Sequence, residues 1–111
     1  MHMEQLELEN NIVKVTLDGS LDIAGAGDID LPLSVIAGKH DKVMVDFSRV
    51  SFLASIGIRV LVKAAKAMAN RGGKMVVINP NDASRKVLQS TGVNTIIPIV
   101  EDEAAAISAL N

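Results

Sequence analysis

The sequence predicts a single α/β domain: a mixed β-sheet of four to five strands covered by about four helices. Three observations carry that expectation. Two alternating apolar runs flank an asparagine pair near the start. Two later runs, Val43-Met44-Val45 and Met75 to Ile78, are continuously apolar. Segments of helical period follow both. Alternation across a tight turn is a hairpin pattern, and a continuous β-branched run suits a strand covered on both faces. Helices interleaved with such strands imply a mixed sheet under helical cover. The 111 residues fit one domain, 1–111.

Taken in order, Gln5 to Glu9 alternates with Leu6 and Leu8 on one face, and Val13, Val15 and Leu17 alternate again. This reads as a hairpin of about 4–9 and 12–18, turning at Asn10-Asn11, since Asn tolerates positive φ. Met1 to Met3 read as a disordered or vector-derived start and receive no role. Gly19 to Gly27 reads as a loop. Asp28 to Ala37 reads as a short helix with Leu31, Val35 and Ile36 inward, in which Pro32 fits only the first turn. Val43 to Val45 is a strand ending at Asp46, and Ser48 to Ala54 a connecting loop.

From Ile56 the period becomes helical. Ile58, Leu61, Val62, Ala65, Met68 and Ala69 form the inward stripe; Arg59, Lys63, Lys66 and Asn70 form a solvated one. Gly72-Gly73 ends this helix. Met75 to Ile78 is a strand. Asn81 or Asp82 caps a helix that buries Val87 and Leu88 and stops at Gly92. Ile96 to Val100 is a short edge strand interrupted by Pro98, and Glu101 to Leu110 is a last helix with acids in its first turn.

Composition narrows the chemistry. Hydrophobic residues make up 49 %, with two Phe and no Tyr or Trp, so an aromatic platform for stacking bases is lacking. The net charge of -2 offers no global basic field for nucleic acid or an anionic membrane. No Cys is present, which removes disulfides and thiolate chemistry. No apolar run approaches the roughly 20 residues of a membrane span, and Met1-His2-Met3-Glu4 is no signal peptide. The expectation is a cytoplasmic protein without membrane insertion, cofactor or direct nucleic-acid partner. His2 and His40 belong to no metal-spaced cluster. Leu53-Ala54-Ser55-Ile56-Gly57 lacks the glycine a nucleophile elbow needs two positions before its serine. Gly25-Ala26-Gly27 precedes no Gly-Lys-Ser/Thr and is not a phosphate loop. A two-carboxylate site at Asp22 and Asp46 would lack a nucleophile and further ligands. No catalytic or metal-binding residue is assigned, and the chain is not expected to be an enzyme.

What remains is Ser55, just before an amphipathic helix. Its hydroxyl suits an N-cap. The same place favours an added anion, through free N–H groups and the positive dipole end. A phosphoserine there would add roughly -1.5 to -2 charges and leave the fold standing.

At this junction the stretch Val43-Met44-Val45-Asp46-Phe47-Ser48-Arg49-Val50-Ser51-Phe52-Leu53-Ala54-Ser55-Ile56-Gly57-Ile58 resembles the signature of STAS domains, the anti-sigma factor antagonist family. That pattern is an apolar strand, Asp-Phe/Leu-Ser, an apolar step with Phe, then Asp-Ser-x-Gly-Leu opening a helix. Gly19-Ser20-Leu21-Asp22 resembles the family's Gly-x-Leu-Asp, and Ser90 through Ile96 its late apolar turn, so the likeness covers nearly the whole chain. The resemblance implies that Ser55 is phosphorylated by an anti-sigma factor serine kinase of ATPase type. Binding to the unphosphorylated domain would free a sigma factor, and a metal-dependent, PP2C-type phosphatase would reset the cycle. It implies that Asp22 and Asp46 line the same end of the sheet, with Ala54, Ile56, Gly57, Ile58 and Arg59 around the phosphosite. The sequence departs from the pattern at Ala54, where the family has an acid, and Ile56 is expected to add exposed apolar surface. Two other readings follow: a constitutive STAS subunit, of a lipid-transport ABC ATPase or a stressosome-like scaffold, and an anion- or nucleotide-binding module.

Overall fold

A computed structural model describes all residues, 1–111. The elements are β1 (His2–Glu7), a 3-10 turn (Glu9–Asn11), β2 (Ile12–Leu21), α1 (Ile23–Lys39), β3 (Lys42–Leu53), α2 (Ser55–Ala69), β4 (Lys74–Ile78), α3 (Asp82–Ser90), a 3-10 turn (Val93–Thr95), β5 (Ile99–Val100) and α4 (Glu103–Leu110). They form one mixed sheet in the order β1-β2-β3-β4-β5, with β1 antiparallel to β2 and the rest parallel.

Side-chain parity explains the layering. Val13, Val15 and Leu17 on β2, Val43, Val45 and Phe47 on β3, and Met75 and Val77 on β4 point to one face. There they meet Ile29 and Leu33 of α1, Leu61 and Met68 of α2 and Leu88 of α3. The alternate residues Ile12, Met44, Val76 and Ile78 meet Ala106 and Leu110 of α4 on the other face. One face thus carries three helices and the other a single short one.

The hairpin turns where expected: Asn10 and Asn11 have φ of 61° and 62°. Six expectations are corrected: Ala69, expected on the inward stripe of α2, is exposed, the last strand is only Ile99–Val100 and not Ile96 to Val100, and four more concern the first half of the chain. First, the loop at Gly19–Gly27 does not exist; β2 runs to Leu21 and α1 starts at Ile23. Second, Ile36 is buried as expected, but Leu31 and Val35 do not point inward: they are 73 % and 46 % exposed, and Ile29 and Leu33 are buried in their place. The earlier start also sets Pro32 in the helix interior. Its missing N–H frees the Asp28 carbonyl, and both residues lie on the exposed side of the helix. Third, Ser48–Ala54 is no loop: β3 continues to Leu53, pairing with β2 through two register shifts, one between Thr16 and Asp18 and one between Gly19 and Ser20. A bulge breaks strict alternation, so this stretch does not look like a strand in sequence. Fourth, Met1 to Met3 are built into the fold, with Met1 and Met3 packed against the main core and the Met1 amino group 2.7 Å from Asp28.

Candidate functional site

The ends of β2 and β3 lie side by side, Leu21 opposite Leu53. Each strand turns at once into a helix, so the N-termini of α1 and α2 emerge together. Two glycines make this possible. A Cβ on Gly25 would lie 2.1 Å from the Ser20 carbonyl oxygen, and one on Gly57 would lie 2.5 Å from Leu21 Cγ. The junction is fastened by the Ala54 N–H, which donates to the Leu21 carbonyl at 2.9 Å.

The two helix starts differ. Asp22 is the N-cap of α1: its Oδ1 accepts from the Gly25 N–H at 2.8 Å and its Oδ2 from the Ser20 hydroxyl at 3.2 Å. The Gly25 N–H above all, with the Ser20 hydroxyl, holds this carboxyl below its ordinary value of 3.8. A depressed folded-state pKa gives stability that is present above the unfolded value and lost as pH falls through the folded one. Asp22→Ala is therefore expected to lower Tm at pH 7, and the gap to the native protein should close on titration to pH values below Asp22's folded pKa. Thermal melts across that range check it; a gap independent of pH would contradict it.

Asn81 and Asp102 cap α3 and α4 in the same manner. Only α2 lacks a side-chain cap. Its N-cap is Ala54, which has no oxygen to offer, and Ser55 is the first helical residue, not the cap. Ala54 has the extended backbone of a cap residue, φ -95° and ψ 164°. Ala54→Asp is expected to raise stability by about 1 kcal/mol, measured by urea denaturation; no gain would show that the first-turn amides of α2 are already satisfied.

Ser55 is exposed, as are Ile23 and Phe52 at 80 % and 55 %. Ile23 opens α1, and Phe52 sits on β3 opposite Ser20. Gly57 and Ile58 are buried, Arg59 is exposed without a carboxylate partner, and Ala54 is half-buried. Ile56 is not the exposed apolar residue expected; it is half-buried against the main core. Ile23 and Phe52 supply that surface, and sequence reading missed both. The signal for Ile23 was the Asp22-x-x-Gly25 capping pattern, masked by the glycines after it.

The acids separate. Asp22 belongs to this end of the sheet; Asp46 does not reach it. Asp46 pairs with Thr16 and Ile78, seven residues before Leu53, a span of roughly 20 Å of strand. It shares the face of Met44 and Ile78, the face of α4 and not of α2. Its Oδ1 accepts from the Ser48 N–H at 2.9 Å, and its Oδ2 lies 3.8 Å from Lys14 Nζ. Lys14 also meets Glu103 at 2.9 Å, and that hydrogen bond holds the ammonium above its ordinary 10.5 despite partial burial. Asp46 therefore ties β2, β3 and α4 together away from Ser55. No group of three or more His, Asp or Glu residues converges in a metal-binding arrangement, and no helix is long and apolar enough to cross a membrane.

Residues 5–106 match the family model of the STAS domain. The chain is 24 % identical over 110 residues to the anti-sigma F factor antagonist of Paenibacillus polymyxa, covering 96 % of this chain and 94 % of that protein. Among solved structures, a candidate anti-sigma factor antagonist from Thermotoga maritima superposes with a TM-score of 0.90 at 19 % identity, over 97 % of this chain and 93 % of that one. The phosphorylated form of the Bacillus cell-fate determinant SpoIIAA superposes with a TM-score of 0.75 at 22 % identity, over 99 % and 100 %. These likenesses agree with the mixed sheet and its helical cover.

Proposed function

This chain belongs to the STAS domain family, and from that premise we propose that it is an anti-sigma factor antagonist switched by phosphorylation of Ser55. The observation that carries the reading is an exposed serine on the first turn of the one uncapped helix, at the end of the sheet where the exposed apolar residues Ile23 and Phe52 also lie. The unphosphorylated surface docks an anti-sigma factor that is itself a serine kinase of ATPase type, and so releases a sigma factor. Apolar anchors beside a small hydroxyl suit a desolvated contact. A phosphate at Ser55 brings roughly -1.5 to -2 charges into that contact and breaks it. Arg59, one turn along α2, is placed to pair with the phosphate, and a PP2C-type phosphatase restores the serine. Asp22 acts by holding α1, and with it Ile23, in register with Ser55. Asp46 serves the sheet.

The test is incubation with the cognate anti-sigma kinase and labelled ATP. Label on the native chain and none on Ser55→Ala supports the switch; equal labelling of both, or none on either, ends it.

One observation favours a second reading, a constitutive STAS subunit of an ATPase or a scaffold: Ala54 replaces the acid that precedes the serine in the family pattern. A stable complex indifferent to Ser55→Asp would select it.

A further inference from the structure

An apolar stripe runs the length of the solvent face of α1. At 3.6 residues per turn, Ala24, Gly27, Leu31, Val35 and Gly38 fall on one stripe, and all five are exposed. A helix lying on a sheet ordinarily turns charged and polar residues outward there. We propose that this stripe is a homodimer contact, in which α1 packs antiparallel against α1 of a second copy across a two-fold axis.

Self-complementarity argues for a second copy over another partner. A two-fold contact must place one patch on itself. Leu31 and Val35 lie one turn apart around the middle of the stripe, so an axis between them seats each Leu31 against the other copy's Val35. Asp28 and Lys39 lie on a single flank of the stripe, about 16 Å apart along the helix, and the axis falls near their midpoint. Antiparallel helices bring like flanks together, so Asp28 of each copy meets Lys39 of the other at both ends. Lys39 makes no ion pair within its own chain. Asp28 holds the Met1 amino group yet keeps 53 % of its side chain exposed. On the opposite flank Asp30 is already engaged by Lys63. Gly27 and Gly38 have nothing within 4 Å of a would-be Cβ, which lets two backbones approach closely.

The contact is modest. A helix of 17 residues is about 25 Å long, and one such pair buries less than the ~800 Å² per partner of a standard interface. An interface of that size places the dimer among weak, transient contacts. Antiparallel pairing sets the two Ser55 surfaces at opposite ends of the dimer, where two partners dock without collision.

Sedimentation velocity from about 5 to about 500 µM tests this without any partner or phosphorylation, so its failure leaves the reading of Ser55 untouched. The native chain is expected to pass from monomer to dimer, and Leu31→Glu to stay monomeric throughout. Lys39→Asp is expected to weaken the dimer at least about tenfold, since both symmetry-related pairs become repulsive. Asp28→Lys combined with Lys39→Asp should restore it. Circular dichroism confirms that each variant is folded. A native chain monomeric at the highest concentration, a dimer insensitive to Leu31→Glu, or a double variant no tighter than Lys39→Asp alone would overturn the proposal.

Discussion

Gly25→Ala is expected to destabilise the fold by about 2–3 kcal/mol, although the position lies inside a helix. Helix propensity alone favours alanine over glycine by about 1 kcal/mol. Against that, the new Cβ would sit 2.1 Å from the Ser20 carbonyl oxygen. That neighbour is backbone of β2 and cannot rotate away. Relief requires lifting the first turn of α1, which breaks the Gly25 N–H bond to Asp22 and displaces Ile23 at the start of that helix. Overpacking against fixed neighbours costs about 1–3 kcal/mol, and the lost cap adds to it. Gly27→Ala is the control. Nothing lies within 4 Å of a Cβ there within the chain, so in the dilute monomer propensity acts alone and stability should rise by about 0.5–1 kcal/mol. Urea denaturation of both variants reads the difference. The same sign for both would show that the close approach of α1 to β2 does not constrain the site.

The second large effect is functional. A phosphate on Ser55 is expected to leave the melting temperature within a few degrees of the unmodified chain. Ser55 is exposed, its helix start is uncapped, and negative charge at a helix N-terminus is favourable by about 0.3–1 kcal/mol. The same phosphate should weaken binding to an anti-sigma factor about a hundredfold or more, equivalent to about 2.7 kcal/mol. The contact beside Ile23 and Phe52 would otherwise have to bury an ionised group. Ser55→Glu should show the same loss to a smaller degree, since it carries one charge and fewer acceptors.

How much of this was legible in sequence differs by element. The hairpin, α2 and the continuous strands were readable because their patterns are strict: Asn10-Asn11 adopts positive φ, and of the expected α2 stripe Ile58, Leu61, Ala65 and Met68 are buried and Val62 half-buried, with Ala69 alone exposed. The start of α1 was not. Gly25-Ala26-Gly27 has loop composition, and the need for glycine arises from the Ser20 carbonyl across the junction, which only the tertiary structure supplies. Leu31 and Val35 form one apolar stripe at helical spacing and Ile29, Leu33 and Ile36 another, so spacing alone does not say which of them meets the sheet. The second half of β3 was hidden by its bulge. Ser55 was found by its place before an amphipathic helix, but its side chain does not cap that helix. The side of the sheet on which Asp46 falls depends on strand parity through a run buried on both faces, where alternation gives no signal. Asp46 is the one site acid whose neighbourhood the sequence assigned to the wrong end.

The most direct measurement is isothermal titration of one purified anti-sigma factor kinase against this chain, with serine and with phosphoserine installed at position 55. The account predicts tight binding of the serine form and a loss of about a hundredfold for the phosphoserine form, with both chains equally folded. Equal affinity of the two forms, or a phosphoserine form that binds more tightly, would contradict it.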